Sequence, residues 1–342
     1  MKKNITKYLL LALACLGLQS CLFQEENYFD DSSANRATAD VSRCGELLKG
    51  APNGWVMEYY VGKDYSLGGI TLLCRFDGQR VTMASQMAEA DETVSSLYSV
   101  KSEQATMLSF DTYNYLVHYF GQPQGSMSDD PNGTLGGDYE FIISSASADC
   151  VELKGKKYGN RIVMKALSED QTWKQYLTKI KKVEDDAFFY EYDLLMDGLY
   201  TGQMLRSNYT FIVTYYDEIG KVHQKTVPFM FTADGMRFHE PVTIDGQTMQ
   251  NFVWKNELIS FVCTDEGATG IKLAGVYTAG YQSYDYYPGT YQMDFYRLND
   301  ETQQLEVASQ EVRLLKNEDG KSYWLKGLEY DILVMFDKPR GG

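Results

Sequence analysis

A run of tyrosines toward the carboxyl terminus holds the side chains best suited to contact a ligand. Glycine and proline break this run, which contains Tyr281, Tyr284, Asp285, Tyr286 and Tyr287. A tyrosine ring can stack on the C–H face of a sugar while its hydroxyl and a nearby carboxylate bond to ring hydroxyls, and tyrosine is also frequent in protein interfaces. The run therefore predicts a contact surface for a glycan, a peptide or a protein. The alternative is that these tyrosines pack on ordinary strand faces.

Residue patterns typical of enzymes and metal sites are sparse. The chain has three histidines, His118, His223 and His239, and they show neither an HExxH pattern nor the spacing of a zinc site. In the glycine-rich loop of residues 121–137, Ser128, Asp130, Asn132 and Gly133 have the spacing of a calcium loop, but Tyr139 stands at the twelfth place, where that loop needs glutamate. No P-loop, GxGxxG or GxSxG motif occurs. We therefore predict no catalytic residue, no metal and no cofactor, and we interpret His239-Glu240 as a surface pair.

Cys21 has the clearest predicted chemistry. Three lysines precede an apolar run over residues 8–18, which is the layout of a bacterial export signal and is too short for a stable membrane span. The motif Leu18-Gln19-Ser20-Cys21 fits the lipobox of bacterial lipoproteins, so we expect the mature chain to begin at Cys21 with a diacylglycerol on its thiol. Each buried methylene contributes about 0.8 kcal/mol, so a fully acylated Cys21 would hold the chain stably on a membrane. The alternatives are an uncleaved leader that serves as an anchor helix and an ordinary cysteine.

The segment after Cys21 is polar and acidic. Residues 21–38 include Gln24-Glu25-Glu26 and Asp30-Asp31, and this acidic stretch resembles the signal that sends Bacteroidota lipoproteins to the outer face of the outer membrane. A solvated tether without an export role is the alternative. Carboxylates beside an anionic membrane are repelled by it, which favours a lipid-anchored, surface-exposed protein of the outer membrane.

Composition excludes one class of partner and indicates the class of fold. The 342 residues have a formal net charge of −15, and no cluster of lysine and arginine interrupts it, so nucleic acid is not an expected partner. The 27 tyrosines and 29 glycines, against 7 prolines, favour strands and turns. The cysteines beyond Cys21 show no disulfide framework, so we predict mostly small buried side chains; they are Cys44, Cys74, Cys150 and Cys263.

The predicted elements are mostly short strands. We expect a mainly β fold of β-sandwich-like antiparallel sheets with two short helices, one capped by Asp40 and one starting at Ser168. Asp77-Gly78 between two apolar runs predicts a hairpin. Residues 115–120 are predicted as a further strand.

Two β domains are predicted after the leader. Residues 1–20 form the signal peptide, 21–38 the acidic tether, 39–185 the amino-terminal β domain and 186–342 the carboxyl-terminal β domain. In each half an apolar strand is followed by Asp-Gly, at Asp77-Gly78 and Asp234-Gly235, so the domains could be diverged copies of one unit. Asp-Gly hairpins are common, and unrelated domains are the alternative.

Several short motifs carry a resemblance to a known family. They are Asn53-Gly54-Trp55, Gly68-Gly69, Leu108-Ser109-Phe110-Asp111-Thr112-Tyr113-Asn114, Gly137-Asp138-Tyr139-Glu140-Phe141 and Leu153-Lys154-Gly155-Lys156-Lys157. With the lipobox, they make the chain resemble a Bacteroidota outer-membrane lipoprotein family of unknown function, often encoded beside starch-utilisation-type uptake systems. The resemblance covers nearly the whole mature chain. It implies a nutrient-uptake context and no mechanism.

The sequence is compatible with three functions. The first is a non-enzymatic surface lipoprotein that binds a glycan, a peptide or a partner lipoprotein within an uptake system. The second is a purely structural partner of a transporter complex. The third is a hydrolase that uses two carboxylates about 5 to 10 Å apart, an arrangement that linear sequence does not reveal.

Overall fold

A computed structural model describes residues 32–123, 133–217, 219–320 and 322–335. Within these ranges three α-helices accompany strands that form three antiparallel sheets. The helices are α1 (Ser33–Lys49), α2 (Tyr115–His118) and α3 (Trp173–Asp186).

The first eight strands form a closed barrel in which each strand pairs with its neighbours in sequence. They are β1 (Trp55–Val61), β2 (Gly68–Asp77), β3 (Arg80–Ser85), β4 (Val94–Ser102), β5 (Thr106–Phe110), β6 (Glu140–Ala146), β7 (Cys150–Gly155) and β8 (Arg161–Ala166). Pairing of Trp55 with Ala166 joins β1 to β8. Closure removes the free strand edges at which an open sheet could pair with another chain.

Large side chains fill this first barrel. Trp55, Tyr59, Phe110 and Phe141 are at most 1% exposed, and edge-to-face contacts join Tyr59 to Phe141 and Phe141 to Phe110. The Trp55 indole donates a hydrogen bond to the Leu48 carbonyl at 2.8 Å, which ties α1 to the barrel. A barrel of about eight strands is just wide enough for side chains to fill, so this interior is a core rather than a ligand cavity.

The second barrel repeats this arrangement with eight more strands. They are β9 (Glu191–Met196), β10 (Leu199–Ser207), β11 (Thr210–Tyr216), β12 (Val222–Phe231), β13 (Gly235–Ile244), β14 (Gln247–Lys255), β15 (Ser260–Cys263) and β16 (Ile271–Val276). Pairing of Ile271 with Met196 closes it. Its interior is packed with buried aromatic rings, among them Tyr192, Phe211, Phe229 and Phe261.

The two barrels pack against each other through β2 and β12, with α3 beside β12. Val56, Leu73 and Ala84 belong to strands of the first barrel but join the hydrophobic cluster of the second. The buried face of α3 enters the same cluster through Leu177, Ile180 and Val183. Because this contact covers the outer face of the first barrel, β1 is almost continuously buried along its length.

The last four strands form a separate sheet. They are β17 (Gly289–Leu298), β18 (Leu305–Lys316), β19 (Ser322–Lys326) and β20 (Ile332–Met335). The sheet has a small core around Val312, Leu314 and Tyr323. The far end of the β17–β18 hairpin exposes Tyr296 and Val307 by 74% and 65%.

The prediction of a mainly β fold with antiparallel sheets is confirmed. The strands close into barrels rather than facing each other as a sandwich, because the first and last strands of each meander also pair. Alternating short strands suit either arrangement, and only those long-range pairings distinguish them. The strand predicted at residues 115–120 is wrong: α2 forms there because the Asn114 side chain accepts the Leu116 N–H at 3.1 Å and caps the turn.

The first helix begins earlier than predicted. Its N-cap is Ser32, whose hydroxyl accepts the Asn35 N–H at 3.2 Å. Asp40, predicted as the cap, lies inside the helix and bonds to Arg43 and Thr106. Residues 33–38, predicted as part of the tether, are therefore helical, while residues 21–31 lie outside the described residues.

The second predicted helix also starts at a different residue. Its capping box consists of Thr172 and Gln175, which bond reciprocally, rather than Ser168 and Gln171. The helix ends at Asp186, between Ala166 at the end of the first barrel and Glu191 at the start of the second. The predicted carboxyl-terminal domain, 186–342, thus contains both the second barrel and the separate sheet.

The cysteines match the prediction of mostly small buried side chains. Cys44, Cys74 and Cys263 are free and buried, and Cys150 is free and half-buried.

The two barrels share a strand order, but the Asp-Gly turns do not support the duplication directly. Asp77-Gly78 joins the second and third strands of the first barrel, whereas Asp234-Gly235 joins the fourth and fifth strands of the second. The repeated architecture is therefore a likeness of topology, and the sequence pattern that suggested it falls at non-equivalent turns.

Candidate functional site

A cleft of about 330 Å³ lies where the two barrels meet. A smaller cavity of about 170 Å³ shares Tyr65, His239 and Glu240 with it. Ligand sites occur preferentially at such junctions between domains. The cleft lining includes the charged and aromatic side chains of Glu58, Tyr65, Arg161, Lys165, Arg237 and His239.

Strand alternation puts these side chains outside the barrels. Met57 and Tyr59 point into the first barrel, so Glu58 between them points out. Met236 and Phe238 point into the second barrel, so Arg237 points out toward Glu58. The hydrophobic pattern that builds the two cores thereby aims opposite charges at each other.

Glu58 links the barrels electrostatically. One of its carboxylate oxygens pairs with Arg237 and the other lies 3.1 Å from the Lys165 amine. The Glu58 and Arg237 side chains are 12% and 20% exposed, so water screens this pair only weakly. Burial lowers the pKa of Arg237, yet a guanidinium stays charged in proteins. Two cations therefore face one carboxylate at the floor of the cleft.

An aromatic wall stands beside this pair. The His239 ring lies 4.5 Å from the Tyr60 ring and 3.9 Å from the Tyr65 ring, centroid to centroid. Its side chain is 12% exposed, and the Glu240 carboxylate is 4.0 Å from it. Burial lowers the pKa of His239; the Glu240 carboxylate opposes this shift, and Arg161 and Arg237 add to it. The neutral imidazole therefore dominates at neutral pH.

The turn between β1 and β2 places Tyr65 in an uncommon backbone conformation. Asp64 and Tyr65 have φ values of 53° and 59°, a left-handed region that costs a residue with a side chain about 1 to 3 kcal/mol. The turn ends at Gly68, whose φ is 69°. A Cβ there would lie 2.1 Å from the Tyr209 carbonyl oxygen of the second barrel. Contact between the barrels thus holds the turn that carries Tyr65.

The sequence did not reveal this cleft. Glu58 and Arg237 are 179 residues apart, and neither belongs to a recognisable motif. The one local signal was His239-Glu240, which we interpreted as a surface pair. That interpretation holds for Glu240, which is 81% exposed, and is wrong for His239, because the first barrel covers that face of β13.

The predicted tyrosine run divides between two packing environments. Tyr281 stacks on Tyr277 at 4.6 Å and on Phe188 at 5.5 Å, which attaches the run to the second barrel. Tyr284 packs on Tyr323 of the last sheet at 4.6 Å, and its hydroxyl donates a hydrogen bond to the Ser322 carbonyl at 2.7 Å. These two tyrosines connect the second barrel to the sheet.

The rest of the run is more accessible. Asp285 pairs with Lys316, and Tyr287 packs edge-on against both Tyr286 and Tyr323. Tyr286 is 62% exposed, so it is the ring in the run most available to a ligand. The contact role predicted for the run stays a prediction, with Tyr286 its strongest member.

The remaining histidines have local partners. His118 stacks on Tyr139 at 4.6 Å, and His223 lies 2.9 Å from Asp217. Among the residues that the structure places, no three His, Cys, Asp or Glu side chains converge as a metal site would require. Within the described ranges, no helix combines the length and apolarity needed to cross a membrane. Cys21 and residues 124–132, which hold most of the calcium-like pattern, lie outside the described residues.

Comparison with known proteins gives a family without a function. Searches of curated proteins and of solved structures find no significant match. The model of one domain of unknown function, DUF4987, matches residues 264–342. The model of another domain of unknown function, DUF4302, matches residues 25–256, which is more than half of the chain, and the protein belongs to that family.

Proposed function

We propose that this protein is a lipid-anchored, non-enzymatic binding or accessory component of a nutrient-uptake system at the outer face of the outer membrane. The lipobox ending at Cys21 supports the lipid anchor, and the acidic residues behind it support exposure at the cell surface. The resemblance to lipoproteins encoded beside starch-utilisation-type systems supports the uptake context.

The cleft between the barrels is the observation that carries the binding function. Aromatic side chains fill both barrel interiors, so neither offers room for a ligand. The cleft offers about 330 Å³, with aromatic rings and charged groups contributed by both barrels. Small-molecule sites combine such walls with a few well-placed polar groups.

The expected ligand is a glycan or a peptide from the nutrient pool. Isothermal titration calorimetry of the mature chain in detergent, against panels of oligosaccharides and short peptides, tests this. We expect at least one panel member to bind, and Tyr65→Ala to weaken that binding more than Tyr286→Ala. Absence of binding to every member would overturn the binding function.

A purely structural role in a transporter complex is the second candidate. The far end of the β17–β18 hairpin favours it, because Tyr296, Leu298, Leu305 and Val307 are each at least 51% exposed and such patches often mark protein contacts. This role predicts that the protein purifies from membranes with an outer-membrane partner and binds no panel member.

A further inference from the structure

We propose that the cleft between the barrels binds the carboxylate of a small acidic ligand, with Arg161, Arg237 and His239 as hydrogen-bond donors and Tyr65 beside the ligand's carbon skeleton. This inference rests on the proposed binding function and adds the chemical class of the ligand. The described residues of the cleft leave hydrogen-bond donors unused, and those donors indicate the ligand class.

Arg161 and Arg237 have guanidinium N–H donors without protein acceptors in the part of the chain that the structure describes. Arginine carries five N–H donors. Of the Arg237 nitrogens, one terminal nitrogen reaches Glu58 and the Met230 sulfur. Of the Arg161 nitrogens, one terminal nitrogen reaches Glu152, at 2.8 Å. The other guanidinium N–H groups of both residues have no protein acceptor among the described residues, and the Arg161 side chain is 65% exposed.

His239 and Tyr65 add two more donors without acceptors. Neither ring nitrogen of His239 has a hydrogen-bond partner in the described part of the chain, and the Glu240 carboxylate stands off at 4.0 Å. A neutral imidazole carries one N–H, which a ligand oxygen could accept. The Tyr65 hydroxyl accepts the Arg161 backbone N–H at 3.4 Å, and no described acceptor receives its own proton.

Cations of the cleft already engage the carboxylates of Glu58 and Glu152. Lys165 and Arg237 engage both oxygens of Glu58, and Arg161 engages Glu152. The remaining carboxylate, Glu240, is 81% exposed at the rim. The cleft lining holds three carboxylates, Glu58, Glu152 and Glu240, against three cations, Arg161, Lys165 and Arg237. These charges balance, and what the cleft has in excess is N–H donors without acceptors among the described residues. A ligand carboxylate would accept from those donors.

The size of the cleft limits the rest of the ligand. At about 330 Å³ it falls at the small end of ligand pockets, so it suits one residue of a longer molecule. A uronic acid and the last residue of a peptide both present a carboxylate next to a carbon skeleton that can lie along a tyrosine ring. They share the chemistry, and a binding experiment can separate them.

Calorimetry with matched pairs tests the inference on the full mature chain in detergent. One arm compares galacturonic and glucuronic acid with galactose and glucose, and the other compares short peptides with their carboxyl-terminal amides. We expect the acid of at least one pair to bind at least about tenfold more tightly than its neutral partner, because a charge-assisted hydrogen bond is lost in the neutral one. The arm that shows this preference identifies the source of the carboxylate.

Variants locate the binding. Arg161→Gln removes the most exposed cation, and His239→Phe keeps an aromatic ring but removes its donor, so each should weaken acid binding about tenfold or more. Arg313→Gln, at an exposed position on the last sheet, is the matched control and should leave affinity unchanged. Circular dichroism checks that each variant is folded.

The outcomes separate the carboxylate inference from the proposed binding function. Equal binding of acids and neutral partners would overturn the carboxylate inference and leave the binding function standing. Acid binding that survives both Arg161→Gln and His239→Phe would also overturn it, because the site would lie elsewhere. Absence of binding in both arms, with binding of another member of the wider panel, would reject only the carboxylate. Absence of all binding would reject both.

Discussion

Glu58 is the residue on which the geometry of the cleft depends most. Its carboxylate forms an ion pair with Lys165 of the first barrel and another with Arg237 of the second. The strand that carries Glu58, β1, contributes Val56 to the hydrophobic cluster formed by α3 and the second barrel. A change at Glu58 therefore reaches the site and the barrel contact together.

Replacement of Glu58 by Gln should destabilise the protein by about 2 to 4 kcal/mol, because it leaves the weakly screened Arg237 without its anion. Urea unfolding followed by tryptophan fluorescence measures this. Glu152→Gln breaks the exposed pair with Arg161 and, as the control, should cost less than about 1 kcal/mol. Equal effects of the two changes would show that the Glu58 pair is no better shielded than a surface pair.

Cys21→Ala should abolish lipid attachment, because the thiol is the only group of that residue able to carry the diacylglycerol. Mass spectrometry of the mature protein and fractionation of cells measure this, with Cys150→Ala as the control. A Cys21→Ala protein that stays in the membrane fraction with an unchanged mass would contradict the lipid anchor.

At the residue scale, the tyrosine run could be predicted from the sequence and the cleft could not. The tyrosine run was visible because its members are contiguous, yet the fold uses Tyr281 and Tyr284 to join the second barrel to the last sheet. The cleft was invisible because Glu58, Arg161 and Arg237 come from three strands far apart in sequence. Only the register of the strands and the contact of the barrels bring them together.

At the scale of elements, the turn between β1 and β2 couples the cleft to the barrel contact. Gly68 ends this turn against the backbone of Tyr209, and Tyr65 within it forms part of the aromatic wall. An element that is strained and tightly packed at once is sensitive to added volume.

Gly68→Ala should therefore destabilise the protein by more than about 2 kcal/mol, through a left-handed φ together with a clash against the second barrel. Gly78→Ala is the matched control, since Gly78 has a φ of 56° but open space around it and should cost only about 1 kcal/mol. Thermal unfolding of both variants measures the difference. Similar losses would mean that the barrels separate easily at this point.

Local sequence patterns predicted most elements correctly, and hydrogen bonds of single side chains account for the exceptions. The Asp77-Gly78 hairpin formed as expected, with Asp77 paired to Arg80. Residues 115–120 looked like a strand because their apolar side chains suit one, but the Asn114 cap makes a helical turn there. Asp40 looked like a helix cap, but Thr106 of β5 and Arg43 bind it inside a longer helix.

At the scale of the whole molecule, the boundary between the two family matches does not coincide with a boundary between the barrels and the last sheet. The first family model ends at residue 256 and the second begins at residue 264. Both boundaries fall inside the second barrel, whose last strand ends at Val276. The barrel needs β15 and β16 for closure, because β16 pairs with β9.

A chain truncated after residue 278 should keep both barrels folded, since it loses only the tyrosine run and the last sheet. A chain truncated after residue 256 should lose the second barrel, because β9 and β14 become open edges beside an exposed core. Circular dichroism and size-exclusion chromatography of both truncations measure this. A monomeric, cooperatively unfolding 256-residue form would contradict the need for closure.

The fold class could be read from the sequence because strand periodicity and turn residues are local. The closure of each barrel could not, because it depends on pairs such as Trp55 with Ala166, which no short motif records. The predicted domain boundary lay near α3 because the helix interrupts the strand pattern. The prediction placed the last sheet in the second domain because its strands have the same sequence pattern as the strands before them.

Hydrogen exchange of the mature chain, with and without its tightest-binding panel ligand, tests binding at the barrel contact most directly. We expect slower exchange in residues 58–65, 161–165 and 237–240 together, because the ligand would contact both barrels at once. Protection confined to residues 281–291, or unchanged exchange in all three segments, would contradict a ligand site between the barrels.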